Sequence, residues 1–164
     1  MSIISVYFDI KQLKPNLFLG FNIPKSRGSI INFRNGPKKI TIVDESYNSN
    51  PLSLKFALER YDSLYKEKNK KFLLIGNMLE LGKHSKKLHI KIAKYINNSK
   101  INKTFVYGDQ IKHTFNKLKP QIRGKILRNK MDICRLINND LANNSFLMVK
   151  GSNSTGLNKI IQNL

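Results

Sequence analysis

One cysteine, no tryptophan and ten acidic residues against thirty lysines and arginines are the shortages of this 164-residue chain. Each excludes something. A single cysteine, Cys134, forms no internal disulfide. It lies in an apolar-periodic stretch, residues 131–137, and reads as a small buried hydrophobe, which is consistent with a reducing compartment. No run reaches 18 apolar residues, which excludes a spanning helix. Residues 1–10 are apolar but lack a basic leader and a small-residue cleavage site, so no signal peptide is expected and the chain reads as cytoplasmic. The phosphate-cradling pattern G-x-x-x-x-G-K-[ST] is missing, and so is G-x-G-x-x-G, so neither standard nucleotide cradle is present. There is no H-E-x-x-H and no Cys/His cluster, which removes the usual zinc sites. His84, His89 and His113 are scattered, and His89 reads as a packed helix histidine.

The shortage of acids leaves a formal charge of +20. That invites a nucleic-acid reading. The excess is lysine, however, and it travels with asparagine and isoleucine, as in residues 66–71 and 96–103. All three share A/T-rich codons. Bidentate phosphate and base contacts favour arginine, of which there are six. The charge therefore predicts weak, salt-sensitive, non-specific polyanion binding rather than sequence readout.

Length predicts one domain with a sizeable core. Residues 1–23 are dense in apolar side chains, follow neither period cleanly and are interrupted by Pro15. They read as the tail of a different, preceding domain. From residue 24 the pattern is regular. A strand at 29–33, an Asn35-Gly36 tight turn and a returning strand to Val43 predict a hairpin. Asn50 then caps a helix with Pro51 at its first position and an apolar stripe of Leu54, Leu58 and Tyr61. Residues 72–76 form a continuous apolar run ending in Gly76, as for a strand buried on both faces. A helix carrying Leu88, Ile92, Ala93 and Ile96 follows, then a strand ending at Gly108, a helix over about 109–118, a strand at 125–127, a helix over 131–141, a strand at 146–150 and a closing helix from 156. Strands alternating with helices predict an α/β fold with a mostly parallel sheet covered on both faces.

Three polar turns stand at the carboxyl ends of predicted strands: residues 44–51, 76–82 and 150–156. In an open sheet these ends share one edge, where ligands bind. The first is the richest, with six polar side chains and a tyrosine in Asp44-Glu45-Ser46-Tyr47-Asn48-Ser49-Asn50-Pro51.

These residues carry a resemblance. The sequence from Val43 to Pro51 resembles the D-D-S-Y-N-A-N-P signature of the Mur ligase family, in its D-alanyl-D-alanine-adding branch. Gly76-Asn77-Met78-Leu79-Glu80-Leu81-Gly82, with Ser85 and His89 beyond it, resembles G-D-M-L-E-L-G…S…H. Val149-Lys150-Gly151-Ser152 resembles V-K-G-S, and Ser26-Arg27-Gly28 resembles the G-R-G that opens the carboxyl-terminal domain. Order and spacing agree over residues 24–164. The resemblance implies a Rossmann-like carboxyl-terminal domain of an ATP-dependent amide ligase. It also implies that the preceding domains hold the phosphates and Mg2+, and that the substrates are UDP-muramoyl-tripeptide and D-alanyl-D-alanine.

Carried over by position, Arg27, Asp44, Asn48 and Asn50 would face the nucleotide. Lys150, Gly151 and Ser152 would line the dipeptide side. The chain departs from the pattern where Asn77 replaces an acid and Asn153 replaces an arginine, and each change removes a charge. Three readings follow. The first is a ligase domain that is inactive without an ATP-binding domain on a separate chain. The second is a non-catalytic remnant or stand-alone binding module of the same fold. The third is a basic nucleic-acid-binding domain.

Overall fold

A computed structural model describes residues 25–64 and 70–164. The domain tail expected over 1–23 lies outside the described residues. Six strands form one sheet: β1 (Ser29–Asn35), β2 (Lys38–Glu45), β3 (Lys71–Gly76), β4 (Lys103–Tyr107), β5 (Arg123–Leu127) and β6 (Ser145–Lys150). Their order is β1-β2-β6-β3-β4-β5. The β1–β2 pair is antiparallel, closed at Asn35 and Lys38, as the Asn-Gly turn predicts. Every other pairing is parallel. Five helices connect or close these strands: α1 (Pro51–Leu64), α2 (Ser85–Asn97), α3 (Lys112–Phe115), α4 (Lys130–Arg135) and α5 (Leu157–Gln162).

Side-chain alternation along the central strands splits the core in two. Leu73, Ile75, Val106 and Met148 face α1 and α2, joining Leu54, Leu58, Tyr61, Ile92 and Ile96. Phe72, Leu74, Phe105, Leu147 and Val149 face α4 and α5, joining Ile133, Leu136, Leu157 and Ile161. All six residues of β3 are buried, which is why it reads as a continuous apolar run rather than an alternating one. Helix α1 starts as expected: the Asn50 side chain accepts from the Ser53 amide at 2.8 Å, and Pro51 occupies the first turn.

Two helices differ from expectation. The span expected as a helix over about 109–118 holds one α-turn, α3, flanked by tight turns such as Thr114 N–H to Ile111 O and Lys117 N–H to Thr114 O. Buried Ile111 and Leu118 pin the segment at both ends, and Pro120 stops it. The helix expected over 131–141 is α4 followed by a π-helical stretch, Leu136–Asp140, closed by Leu141 N–H to Leu136 O at 3.0 Å.

The strand-terminal glycines make close approach possible. A Cβ on Gly76 would come within 2.7 Å of Leu157 Cδ1, and one on Gly151 within 3.0 Å of the same atom. The start of α5 therefore rests directly on the ends of β3 and β6.

Candidate functional site

The carboxyl ends of β2, β6, β3, β4 and β5 lie side by side, and two groups of residues form there. The first surrounds the 44–51 turn. Asp44 is 1% exposed. Its Oδ2 accepts from Ser26 Oγ at 2.8 Å, and its Oδ1 accepts from the Ser46 amide at 3.0 Å and from Ser46 Oγ. Two backbone bonds complete the clasp, Gly28 N–H to Asp44 O at 2.8 Å and Tyr47 N–H to Ser26 O at 3.0 Å. Ser26 holds a left-handed conformation, φ 62°, which costs a non-glycine residue on the order of 1 kcal/mol or more. The clasp over-determines it, with Gln162 Nε2 adding a bond to Ser26 Oγ at 3.1 Å. This conformation sets the neighbouring Arg27 against the turn, its guanidinium 4.1 Å from the Tyr47 ring centroid. Arg27, Tyr47, Asn48 and Asn50 are exposed. Asn48 Oδ1 accepts from the Ser49 amide at 2.7 Å.

Lys150 joins this first group. It is 2% exposed, and its Nζ donates to Asn48 O at 2.9 Å and reaches Glu45 O at 3.5 Å. Burial lowers its pKa from 10.5, opposed by the Glu45 carboxylate. The ammonium is thus a strut beneath the 44–51 turn.

The second group lines a cleft of about 600 Å³ at the ends of β3, β4 and β5. Its wall is the loop after β3. Asn77 O accepts from the Ser152 amide at 3.1 Å, the Leu79 amide donates to Ser152 Oγ at 2.9 Å, and the Met78 amide donates to His89 Nε2 at 3.1 Å. His89 is buried in α2, with Nδ1 2.9 Å from Ser85 O. Nδ1 therefore carries the proton and Nε2 is free to accept. Burial lowers the His89 pKa from 6.5, the Ser85 carbonyl opposes this, and nearby His113 adds to the lowering. The opposite wall carries Asp109, Lys112 and Arg128. Lys112 Nζ donates to Asp109 Oδ1 at 2.7 Å, which holds the Asp109 carboxyl below the usual carboxylate range. Arg128 sits on the turn into α4, which a reciprocal cap fixes: Asn129 Oδ1 accepts from the Asp132 amide, and Asp132 Oδ2 accepts from the Arg128 amide, both at 2.9 Å.

The three polar turns therefore converge only in part. Turns 76–82 and 150–156 share the cleft, whereas 44–51 meets β6 through Lys150 and stands beside it. Gly151 and Ser152 are buried and do not line the cleft; Ser152 holds the loop after β3 from behind it. Sequence reasoning quoted Ser26 and Ser46 within their motifs without giving either a role, and did not single out Asp109, Lys112 or Arg128. The signal was available for two of them, since Asp109 lies two residues beyond the end of β4 and Arg128 one beyond the end of β5, where the same strand-end rule applies. Among the described residues no three His, Cys, Asp or Glu side chains gather as a metal site, and no helix is long and apolar enough to cross a membrane.

An α/β domain with this edge and this clasp matches one family. The family model for the Mur ligase glutamate ligase domain covers residues 30–153, and the chain belongs to the Mur ligase family. Its fold is Rossmann-like. Among curated relatives, the UDP-N-acetylmuramoyl-tripeptide–D-alanyl-D-alanine ligase of Rickettsia prowazekii (strain Madrid E) is 30% identical over 139 residues, 85% of this chain and 30% of the relative. The ligase of the same name from Buchnera aphidicola (subsp. Acyrthosiphon pisum, strain APS) is 34% identical over 133 residues, 78% of this chain and 27% of the relative. The chain thus spans about three-tenths of the length of these relatives. The crystal structure of the MurF ligase from Thermotoga maritima in complex with ADP superposes with a TM-score of 0.67 at 18% identity, covering 87% of this chain and 31% of that one. MurF from Acinetobacter baumannii gives 0.68 at 18%, with 87% and 30% covered.

Proposed function

We propose that this chain supplies the carboxyl-terminal part of a cytoplasmic, ATP-dependent ligase that joins D-alanyl-D-alanine to UDP-N-acetylmuramoyl-tripeptide in peptidoglycan synthesis. It works with the domains that bring the phosphate loop and the Mg2+ site. The observation that carries this reading is the pair of neighbouring features on one sheet edge: a clasped, exposed Arg27–Tyr47–Asn48–Asn50 surface and a cleft lined by both signs of charge. The first suits a nucleotide. Arg27 offers a fork of donors to ribose or phosphate, and Asn48 and Asn50 offer amides. Asp44 acts from beneath, holding Ser26 and Ser46 so that Arg27 faces outward. Lys150 holds the same turn from the β6 side.

The cleft suits a zwitterion. Arg128 answers a carboxylate and Asp109 an ammonium, while Ser152, behind the cleft wall, keeps the loop after β3 in place. Activation of the substrate carboxylate as an acyl phosphate belongs to the ATP-binding domain, because nothing among the described residues cradles a transferring phosphoryl group. Once the dipeptide ammonium has given up a proton to solvent, its amine attacks the acyl carbon, the acyl C–O bond breaks and phosphate leaves; the cleft's part is to present that amine. When bound, ATP with Mg2+ supplies the activated phosphoryl group.

The test is to mix the purified chain with a related ligase truncated to its amino-terminal and central domains. ATP-dependent amide formation is expected in the mixture and in neither component alone. Ligation by the chain alone, or no ligation in a mixture where both parts are folded, overturns the catalytic reading. Asn153 gives the second reading its footing. Its Oδ1 accepts from Asn158 Nδ2, so a neutral pair occupies the place the family signature gives an arginine. A non-catalytic binding module would bind the dipeptide and still leave the mixture inactive.

A further inference from the structure

Ser26, Glu80 and Asn144 are the non-glycine residues with positive φ among the described residues, and of these only Ser26 is buried. The G-R-G pattern that residues 26–28 resemble has glycine here, the residue that takes a left-handed φ without steric cost. Serine at φ 62° is strained and stays there only where its surroundings over-determine it. Three hydrogen bonds to side chains do this. Ser26 Oγ donates to Asp44 Oδ2 at 2.8 Å and accepts from Gln162 Nε2 at 3.1 Å, and the Ser26 amide donates to Ser29 Oγ at 3.2 Å. A hydroxyl has one proton, which goes to Asp44, so a second partner must be a donor, and Gln162 supplies it. Gln162 is exposed, but buried Leu157, Ile160 and Ile161 fix the helix that carries it, α5. It reaches Ser26 across 136 residues of sequence.

We infer that Gln162 is a positioning residue for nucleotide binding, acting through Ser26 to hold the left-handed turn that sets Arg27 against Tyr47. The Ser26–Gln162 pair does by hydrogen bonding what glycine does by lacking a side chain. The inference rests on the proposed reading of the Arg27–Tyr47 surface as the nucleotide side and adds the residue that orients it. Without the Gln162 amide, the Ser26 hydroxyl keeps only Asp44, and the backbone there relaxes toward an ordinary φ. That rotation carries Arg27 off the ring whose centroid now stands 4.1 Å from its guanidinium. The backbone bonds on either side, Gly28 N–H to Asp44 O and Tyr47 N–H to Ser26 O, remain, so the clasp loosens without opening.

The experiment compares Gln162→Leu, Ser26→Ala, Ser26→Gly and the double variant Ser26→Gly with Gln162→Leu by two readouts. In the isotope-labelled chain, the Arg27 Nε–H resonance reports, through the ring current of Tyr47, whether the guanidinium lies over the ring. In the mixture with the truncated ligase, the KM for ATP is measured against kcat. Gln162→Leu and Ser26→Ala should lose the ring-current shift and raise the KM for ATP about fivefold, the worth of one ordinary hydrogen bond. The kcat should not change, because binding rather than chemistry is affected. Ser26→Gly should keep both the shift and the KM. It removes the hydroxyl as alanine does, so any difference between the two is backbone conformation. Gln162→Leu should add nothing in the Ser26→Gly background, where no hydroxyl is left to hold. Glycine as impaired as alanine, or an equal effect of Gln162→Leu in both backgrounds, overturns the inference. A wild-type mixture without ligation overturns the ligase reading and the nucleotide role with it, whereas the ring-current readout still decides whether Gln162 sets Arg27.

Discussion

The Lys150 ammonium stands 2.9 Å from the Asn48 carbonyl oxygen, joining the end of β6 to the turn that follows β2 across 102 residues of sequence. A charged donor to a carbonyl contributes about 1.5–3 kcal/mol, but burying the ammonium at 2% exposure offsets much of that. The two effects cancel in global stability more than in local order. Lys150→Met should change the unfolding free energy by about 1 kcal/mol or less. Amide hydrogen exchange at residues 46–49 should speed up about tenfold, which corresponds to ~1.4 kcal/mol of local opening. Unchanged exchange across that turn would show that the strut does not hold it.

His89 makes the cleft wall sensitive to pH. In the folded protein its Nε2 must accept from Met78, so the ring is neutral and its pKa lies below the ordinary 6.5. The unfolded chain therefore binds more protons than the folded one between 6.5 and the lower folded value. In that window stability falls as pH falls, and above 6.5 the contribution is fully present. The slope from this one group is at most about 1.4 kcal/mol per pH unit. His89→Gln, whose carbonyl can accept from Met78, should flatten denaturant midpoints measured from pH 7.5 to 5. An equal slope in wild type and variant would show that His89 does not carry the acid sensitivity.

The main architecture was legible in the sequence because local signals and burial coincide there. Residues 72–76 are apolar throughout because β3 is covered on both faces, and Asn50-Pro51 starts α1 as its chemistry requires. The segment after Gly108 was not legible. Its apolar spacing fits a helix, but the fixed positions of Ile111 and Leu118 leave room for one α-turn. The site was legible as a set of turns and not as a set of contacts. That Asp44 faces inward to Ser26, 18 residues away, is decided by the β1–β2 hairpin register, and that Lys150 is a strut is decided by the pairing of Glu45 with Lys150. Side-chain type alone cannot distinguish a ligand-facing carboxylate or ammonium from one that holds its own loop.

Gly108 tests the packing of the cleft wall independently of any ligand. Its φ of +115° is one that side chains rarely adopt, and a Cβ there would meet all three terminal atoms of Asn77 at 2.6–2.7 Å. Gly108→Ala must strain the backbone and displace Asn77 from the Ile111 amide. The combined cost should be about 2–4 kcal/mol, read as a lower urea midpoint. The double variant Gly108→Ala with Asn77→Gly removes the clash and should recover part of the loss. No recovery would mean that the backbone conformation alone carries the cost.

The charge of +20 has a spatial expression on α2. Lys87, Lys91 and Lys94 recur along it at four- and three-residue spacing, all exposed, with Lys86 beside them, Lys83 exposed in the turn that precedes the helix, and no acid in the helix. Neighbours of this kind lie about 5–6 Å apart at Cβ, so the row is a continuous strip of positive potential without the arginines that bidentate contacts favour. Binding to duplex DNA should be independent of sequence, detectable at about 20 mM salt and lost by about 200 mM, following counterion release. Replacing Lys83, Lys87, Lys91 and Lys94 by glutamine should reduce the slope of log affinity against log salt by about 3.6, nearly one unit per removed contact. A slope unchanged by the four substitutions would place the polyanion contact elsewhere on the domain. A preference among sequences at 150 mM salt would restore the nucleic-acid reading that the scarcity of arginine argues against.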